Sequence, residues 1–549
     1  MILSSKSIKN MNIKKIFRPI KRKTYDIFVF NMISLALKNR KKRLEHNFSI
    51  QSNNKSILFN TQYHWYHSWI DYTLAAALKY RGYDVKMLIC DGLTYCEQET
   101  FTTKRPKCSD CYKSTKKRAD LFGISTVKIG DLITKEKIHD LSKISKNNSI
   151  QSLKKYKYIN IDIGKFASNN AAHFYKGFFE IEGEKAKKFR EIIESALIIC
   201  EATNNFFKVN KFDKVVTPNG KFIQSGISIQ LSKLYKINFY TWDLFIQQSA
   251  AAFSKNNVAH DQKIDDLWSE IRFQDLSDVK IKKVINFYNL QSKSLNTPFR
   301  YYDSNIVEKF SDIQKELSLN SDSKLITLFT NVESDSTAMG QNLAYIHMFD
   351  WVASVIDFVI SEKNIDLIVR AHPGESKVPS DLKARSPISE RILRKYKNLP
   401  NHIKLIGPES NVSSYSLAQM SDIPMVYTST LGLEFALMGI KPWIAATPYY
   451  SGKGFSVDIK SHEEFVNLVK FENINPTLDK KAIDFAIKVA YVVKFRRLIS
   501  YPVFDNNGKF KLFDYKILLN SDSDSTIQNI CDFIEDKRNY LDLGPSSNS

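Results

Sequence analysis

Short apolar runs alternate with longer amphipathic stretches over most of the chain. "KSILFN" (55–60) reads as a buried strand, "SWIDYTLAAALKYRG" (68–82) as a helix stopped near Gly82, and "YDVKMLIC" (83–90) as the next strand. After an irregular, lysine-rich interval at 104–170, the alternation resumes. A helix over 186–207 precedes strand "KVVTP" (214–218), the turn "NGKF" (219–222), a helix, and strand "INFYTWD" (237–243). Residues 256–320 are polar and mainly helical. A second block follows: strands at 324–331, 366–370, 403–407, 424–428 and 442–447, with helices at 344–363, 413–422 and 431–439. Strands separated by helices of this length predict a parallel sheet covered on both faces. The expected fold class is therefore α/β: two Rossmann-like domains facing across a cleft, with ligands beyond the carboxyl ends of the strands. The expected divisions are a basic amphipathic extension (1–50), an N-terminal Rossmann-like domain (51–255) with a Cys-rich insertion near 90–118, a helical connector (256–320), a C-terminal Rossmann-like domain (321–475) and a helical segment (476–549).

Charge changes this picture at one end. The 549-residue chain carries a formal net charge of +22, and residues 1–50 hold 13 Lys/Arg against Asp26 and Glu45. The rest is mildly basic, so no specific nucleic-acid partner is expected. The apolar centre of the extension, Ile27 to Leu37, is too short for a spanning helix, which needs roughly 20 residues. It ends in "KNRKKR", unlike a signal peptide. Two readings stand: a helix on an anionic membrane surface, or a helix packed on the main body. A cytoplasmic location is expected, on the inner face of the plasma membrane if the extension binds lipid.

Candidate chemistry gathers at strand ends. "LIVRAHPGES" (367–376) leaves a strand and places Arg370, His372 and Glu375 around Pro373. Proline biases His372 toward an extended backbone, which aims its imidazole. Arg370 offers a fork of donors to phosphate. "VYTSTLGLEFALMG" (426–439) puts Thr428, Ser429 and Thr430 where strand gives way to helix, with Gly432 in the first turn and Glu434 within reach of a ribose. A helix start is an anion site, though Ser and Thr there are also ordinary caps. Asp91-Gly92 stands after strand 83–90, and Asp335 lies in "TNVESDS". "YHWYHSW" (63–69) offers aromatic faces and two imidazoles, His64 and His67, or simply core packing.

Cys90, Cys96, Cys108 and Cys111 are spaced C-x5-C-x11-C-x2-C. The last pair suits a structural zinc; the alternative is four reduced thiols.

"RAHPGE", followed by "YTSTLGLEFALMGIKPWIAATPYYSGKGFSVD", resembles the C-terminal half of bacterial capsule polysaccharide biosynthesis glycosyltransferases. More loosely, it resembles sialyltransferases of the GT-B fold. The resemblance covers 324–460 well and 55–245 weakly, where "NGKF" is similar to an Asn-Gly-Arg/Lys turn. It implies that His372 and Pro373, with Ser429 and Thr430, hold the phosphate and base of a nucleotide-activated sugar. It also implies a GT-B-like fold with 321–475 as the nucleotide-sugar-binding domain, and that Lys453 lies in a matching loop. Asp91 matches the acidic-acidic-Gly motif of some related sialyltransferases only in part, since Cys90 precedes it, and is a candidate base; Glu375 and His372 are the other catalytic candidates. The acceptor is then a polysaccharide or lipid-linked glycan. No DxD-like motif stands at a strand end in a metal-binding context, so no cofactor or metal is expected to be required for the transfer. The alternatives are a CDP-polyol phosphotransferase of teichoic-acid type and a non-catalytic membrane-associated scaffold.

Overall fold

The computed structural model describes residues 52–538 apart from 62–67, 98–106, 178–180, 246–249, 294–305, 381–382, 473, 505–517 and 519–525. The basic extension, His64 and His67 therefore lie outside the described residues.

Two sheets organise the chain. The first contains β1 (Ser56–Asn60), β2 (Asp84–Ile89), β3 (Ser125–Lys128), β4 (Lys214–Pro218), β5 (Asn238–Phe245) and β6 (Ala250–Lys255). The second contains β7 (Lys324–Phe329), β8 (Ile365–Arg370), β9 (Ile403–Ile406), β10 (Ile423–Val426), β11 (Trp443–Ile444) and β12 (Val457–Asp458). A last strand, β13 (Ile499–Ser500), returns to the first sheet and pairs antiparallel with β6.

The apolar runs become strands because both faces of each sheet are covered. Ile57 and Phe59 of β1 enter one core, and Leu58 enters the core on the opposite face. β7 divides likewise, with Ile326 and Leu328 on one side and Leu325 and Phe329 on the other. Each such fully buried side chain contributes about 1.5–3 kcal/mol of transfer free energy.

Strand order fixes where ligands can bind. The C-terminal sheet runs β12-β11-β10-β7-β8-β9, all parallel, so the chain winds outward from β7 through β8 and β9, then restarts at β10 on the other side. The N-terminal sheet, β13-β6-β5-β4-β1-β2-β3, repeats this winding from β1, with β6 and β13 added antiparallel at one edge. The two switch points lie between β7 and β10 and between β1 and β4, where doubly wound sheets open a crevice.

The carboxyl ends of the two sheets meet. Lys221, just past β4, donates to the Met339 carbonyl beyond β7 at 2.7 Å. Arg385 lies 5.8 Å from the Phe174 ring. This is the arrangement of two Rossmann-like domains expected from the alternation of elements, GT-B-like as the resemblance implies.

The described residues beyond 476 divide between the domains. The helix Lys480–Tyr491 buries Ala486 and Val489 against the C-terminal core. Beyond β13, the helix Thr526–Ile534 packs Ile527, Ile530 and Cys531 into the N-terminal core. Arg81 locks it there through Asp532 at 2.6 Å and Glu535 at 2.5 Å. The connector helices Asp265–Ile271 and Asp278–Ser292 pack Leu267, Trp268 and Val284 on the C-terminal core.

Candidate active site

β7 separates the two motifs, which are therefore not on adjacent strand ends, and its loop ties them together. The His372 N–H donates to Thr330 Oγ1 at 3.1 Å, and the Thr428 N–H donates to Asn331 Oδ1 at 3.1 Å. Residues 330–331 thus hold the His-Pro loop on one side and the Ser/Thr turn on the other.

His372 has φ −65° and ψ 128°, the extended backbone that a following proline favours, and Pro373 opens the 3-10 turn Pro373–Glu375. His372 Nδ1 accepts the Gly374 N–H at 2.9 Å. Burial pulls the imidazole down to about 4, with Asp335 opposing and Arg370 assisting. At neutral pH it is uncharged, and because Nδ1 accepts, the proton sits on Nε2. His372 presents one neutral N–H donor.

The Ser/Thr turn is tightly tied. Ser429 Oγ accepts the Leu431 N–H at 3.2 Å, and the Tyr450 hydroxyl donates to the Ser429 carbonyl. The N–H groups of Gly432, Leu433 and Glu434 bond to the carbonyls of Ser429 and Thr430. The helix Leu431–Leu437 therefore spends its first amides internally, contrary to the expectation of a helix-end anion site. Hydroxyls remain. Thr430 is exposed and donates to Glu434 Oε1 at 3.1 Å; Thr428 Oγ1 is buried with no partner among the described residues. Gly432 has no room for a Cβ, which would strike the Tyr450 hydroxyl.

Several expected residues point elsewhere. Arg370 is only 1% exposed, and its fork donates to the carbonyls of Gly407 at 2.6 Å and Ser410 at 3.1 Å. It braces the loop after β9 rather than offering its fork to a phosphate. Lys453 is buried and paired with Asp265 at 2.5 Å, so it fastens its loop to the connector. Glu375 is buried beneath the helix Ile388–Lys395, accepting the Ile388 N–H at 3.3 and 3.4 Å. Burial pushes its carboxyl up to about 8, and Glu333 adds to the rise. Glu434 accepts from Gln291 at 2.7 Å and Tyr415 at 2.5 Å, and borders a cavity of about 400 Å³ against the connector helix Asp278–Ser292.

Asp91 accepts the Gly130 N–H at 3.2 Å, and its second oxygen is buried without a partner among the described residues. It follows β2, with β1 standing between it and β4 and β5, whose ends meet the C-terminal loops. Trp69 of the aromatic stretch is core, capped by Arg118 at 5.1 Å.

The cysteines do approach one another. A Cβ on Gly92 would lie 2.9 Å from that of Cys108, and Cys90 Sγ accepts the Gly92 N–H at 3.4 Å. Burial pushes the Cys90 thiol up to about 12, with Cys96 and Cys111 adding to the rise. Among the described residues no group of three or more His, Cys, Asp or Glu side chains is placed to hold a metal. As arranged, Cys90, Cys96, Cys108 and Cys111 do not fit the expected zinc site.

Three residues absent from the sequence reading complete the cleft. His260, in the short turn Ala259–Asp261, pairs through Nδ1 with Asp243 Oδ2. Its Nε2 lies 2.8 Å from Ser336 Oγ, contributed by the loop after β7. The turn 219–221 builds this arrangement. Asn219 donates to Asp243 Oδ2 at 3.2 Å, and Lys221 pairs with Asp261 at 2.5 Å. Gly220 has φ +100°, and a Cβ there would lie 2.7 Å from Ile229 Cδ1 and 2.9 Å from Val258 Cγ2. Burial lowers the His260 pKa, but Asp243 and Asp335 outweigh it, and the net direction is upward. Asp335 acts on both His260 and His372, so the two imidazoles share one carboxylate in the cleft.

No protein-family model and no curated protein matches the sequence. Among solved structures, the chain is similar to the β-Kdo 2,7 transferase of KpsC from Thermosulfurimonas dismutans, at 16% identity and TM-score 0.31, covering 56% of this chain and 84% of that one. It is similar to the β-Kdo 2,4 transferase of the same protein at 11% identity and TM-score 0.32, over 50% of this chain and 79% of that one. The UDP-GlcNAc 2-epimerase of Neisseria meningitidis, bound to UDP-GlcNAc, aligns at 11% identity and TM-score 0.23, over 79% of this chain and 98% of that one. Likenesses this distant carry no weight for the activity, which rests on the geometry of the cleft.

Proposed function

We propose that this chain is a glycosyltransferase that moves a sugar from a nucleotide-activated donor to a growing capsule or other surface polysaccharide, without a catalytic metal. One observation carries the reading: the loops after β8 and β10, bearing His372 and Thr428–Thr430, are both hydrogen-bonded to the loop after β7, at the switch point of the C-terminal sheet. That is where a doubly wound sheet binds a nucleotide.

Glycosyl transfer requires stabilisation of the departing nucleoside phosphate and removal of a proton from the acceptor hydroxyl. The neutral Nε2–H of His372 and the hydroxyls of the Ser/Thr turn serve the first need. They are fixed dipoles, held by Gly374, Thr330 and Asn331, and so need little reorganisation as charge develops. The second falls to a group on the N-terminal side of the cleft. The acceptor glycan would enter between the domains, and the basic extension 1–50 would bring the enzyme to an anionic, lipid-bearing surface.

Thermal unfolding of the full chain with CMP, CDP, UDP and GDP tests this reading. One nucleotide is expected to stabilise the chain by RT ln(1 + [L]/Kd), and His372→Ala is expected to reduce the shift. No shift with any of the four would overturn the reading in favour of a scaffold. Incubation with CDP-glycerol separates the remaining class, since phosphate retained on the product would mark a polyol phosphotransferase.

A further inference from the structure

We infer that His260 is the catalytic residue that takes the proton from the acceptor hydroxyl, with Asp243 as its positioning residue and the Ser336 hydroxyl standing where the acceptor hydroxyl binds. The inference rests on the glycosyltransferase reading and adds the acceptor half of the site.

Hydrogen-bond chemistry fixes the roles. An ionised carboxylate only accepts, so His260 Nδ1, paired with Asp243 Oδ2, must carry a hydrogen. In the neutral ring that leaves Nε2 as an acceptor. The partner at 2.8 Å is a hydroxyl, Ser336 Oγ–H, which therefore donates to Nε2. A sugar hydroxyl in that place would be held by the same bond. Asp243 is itself immobilised, with Oδ2 accepting from Asn219 at 3.2 Å and Oδ1 accepting the Leu244 N–H at 2.9 Å. The turn that carries His260 is pinned by the Ala259 N–H to Thr241 Oγ1 at 2.8 Å.

Placement supports the assignment. Asp243 and His260 come from the N-terminal domain, while Ser336 shares the β7 loop with Asn331, which holds the donor-side turn. Asp335, next to Ser336, acts on both His260 and His372. The charged groups around His260 are Asp243, Asp335 and Lys221, with Asp261 paired to Lys221. The two carboxylates outweigh burial and Lys221 and favour proton uptake.

The step balances without a further reagent. The acceptor oxygen forms a bond to the anomeric carbon as its proton passes to His260 Nε2. The bond from that carbon to the nucleotide phosphate oxygen breaks, and the nucleotide leaves with the electron pair. The proton on His260 then returns to solvent.

The test uses the full chain and release of nucleotide from UDP-N-acetylglucosamine, GDP-mannose, CMP-sialic acid and CDP-glycerol, with water as acceptor. With the donor that turns over, His260→Gln is expected to lower release about 100-fold or more, in the range of lost general-base catalysis. The thermal shift caused by the nucleotide should be retained, and the fall in rate at acid pH should disappear. Sodium azide, which needs no deprotonation, should restore release at least tenfold in His260→Gln and not in His372→Ala. Asp243→Asn donates to Nδ1 in place of accepting, so it fixes the opposite tautomer. It should show the same loss and the same azide rescue. A retained thermal shift in either variant reports an intact fold. Release by His260→Gln at the rate of the unsubstituted chain, or loss that azide does not repair, would overturn the inference and leave the glycosyltransferase reading standing. Absence of release by the unsubstituted chain with every donor would overturn both.

Discussion

Replacing Glu375 by glutamine isolates what the buried carboxyl does to this fold. Glu375 is 3% exposed, and its carboxyl accepts the Ile388 N–H. The folded carboxyl holds its proton up to about pH 8, whereas the unfolded one releases it near 4.5. Because the folded pKa is the higher one, unfolding releases a proton, and stability falls as pH rises from 4.5 to 8. Each pH unit is worth about 1.4 kcal/mol, so at pH 7 the loss is about 3 kcal/mol. Glutamine imitates the protonated acid, keeps an oxygen for Ile388, and does not titrate. Urea unfolding followed by circular dichroism should find Glu375→Gln close to the parent chain at pH 5, about 3 kcal/mol more stable at pH 7 and about 4 kcal/mol more stable at pH 8. A variant no more stable than the parent at pH 8 would refute the reasoning. It would show that Glu375 is ionised in the fold and paired in a way that the geometry does not show.

The remaining predictions concern the frame of the cleft. Gly220→Ala should cost about 1–3 kcal/mol, because its Cβ meets Ile229 and Val258 at positive φ; thermal unfolding measures this, and an unchanged midpoint would contradict it. Arg370→Met removes the guanidinium donors to the Gly407 and Ser410 carbonyls, which keep only the Ser410 N–H and Lys377 Nζ respectively, and should destabilise by about 1–3 kcal/mol in all. The nucleotide-induced shift should survive that substitution, and its loss would return Arg370 to the phosphate. The neutrality of His372 is stabilising above the ordinary histidine range and is lost as pH falls from 6.5 to about 4. His372→Gln should therefore flatten that part of the stability profile by about 3 kcal/mol. Elemental analysis of the chain purified with zinc present should find no stoichiometric metal; one zinc per chain that is lost in Cys108→Ser would restore the cysteine site.

Much of this architecture is legible in the sequence, for a physical reason. Parallel strands buried on both faces must be apolar at every position, so β1, β7, β8 and β10 stand out as short runs between helices. The His-Pro loop is legible because proline restricts its neighbour, and His372 adopts the backbone that restriction favours. Strand alternation also carried a signal against Arg370 as a ligand. It shares a face with Ile368, which is fully buried, so its side chain turns into the body of the domain. Cysteine spacing gave proximity but not the mutual placement that a metal needs, which depends on tertiary packing. His260 was not legible. It lies in the polar stretch "NVAHDQK", and its partners Asp243 and Ser336 are 17 and 76 residues away. Only the meeting of the two domains brings the three together. The carboxylate that ends strand "INFYTWD" was the one available hint.

The central claim is that His372 and the Thr428–Thr430 turn hold the phosphate of a single nucleotide. A crystal structure of the full chain soaked with the nucleotide that gives the largest thermal shift tests it directly. The account predicts a phosphate oxygen within about 3 Å of His372 Nε2, the ordinary range for such a bond, and a hydroxyl of the turn on the same phosphate. A phosphate bound elsewhere, with neither motif touching it, would contradict the account.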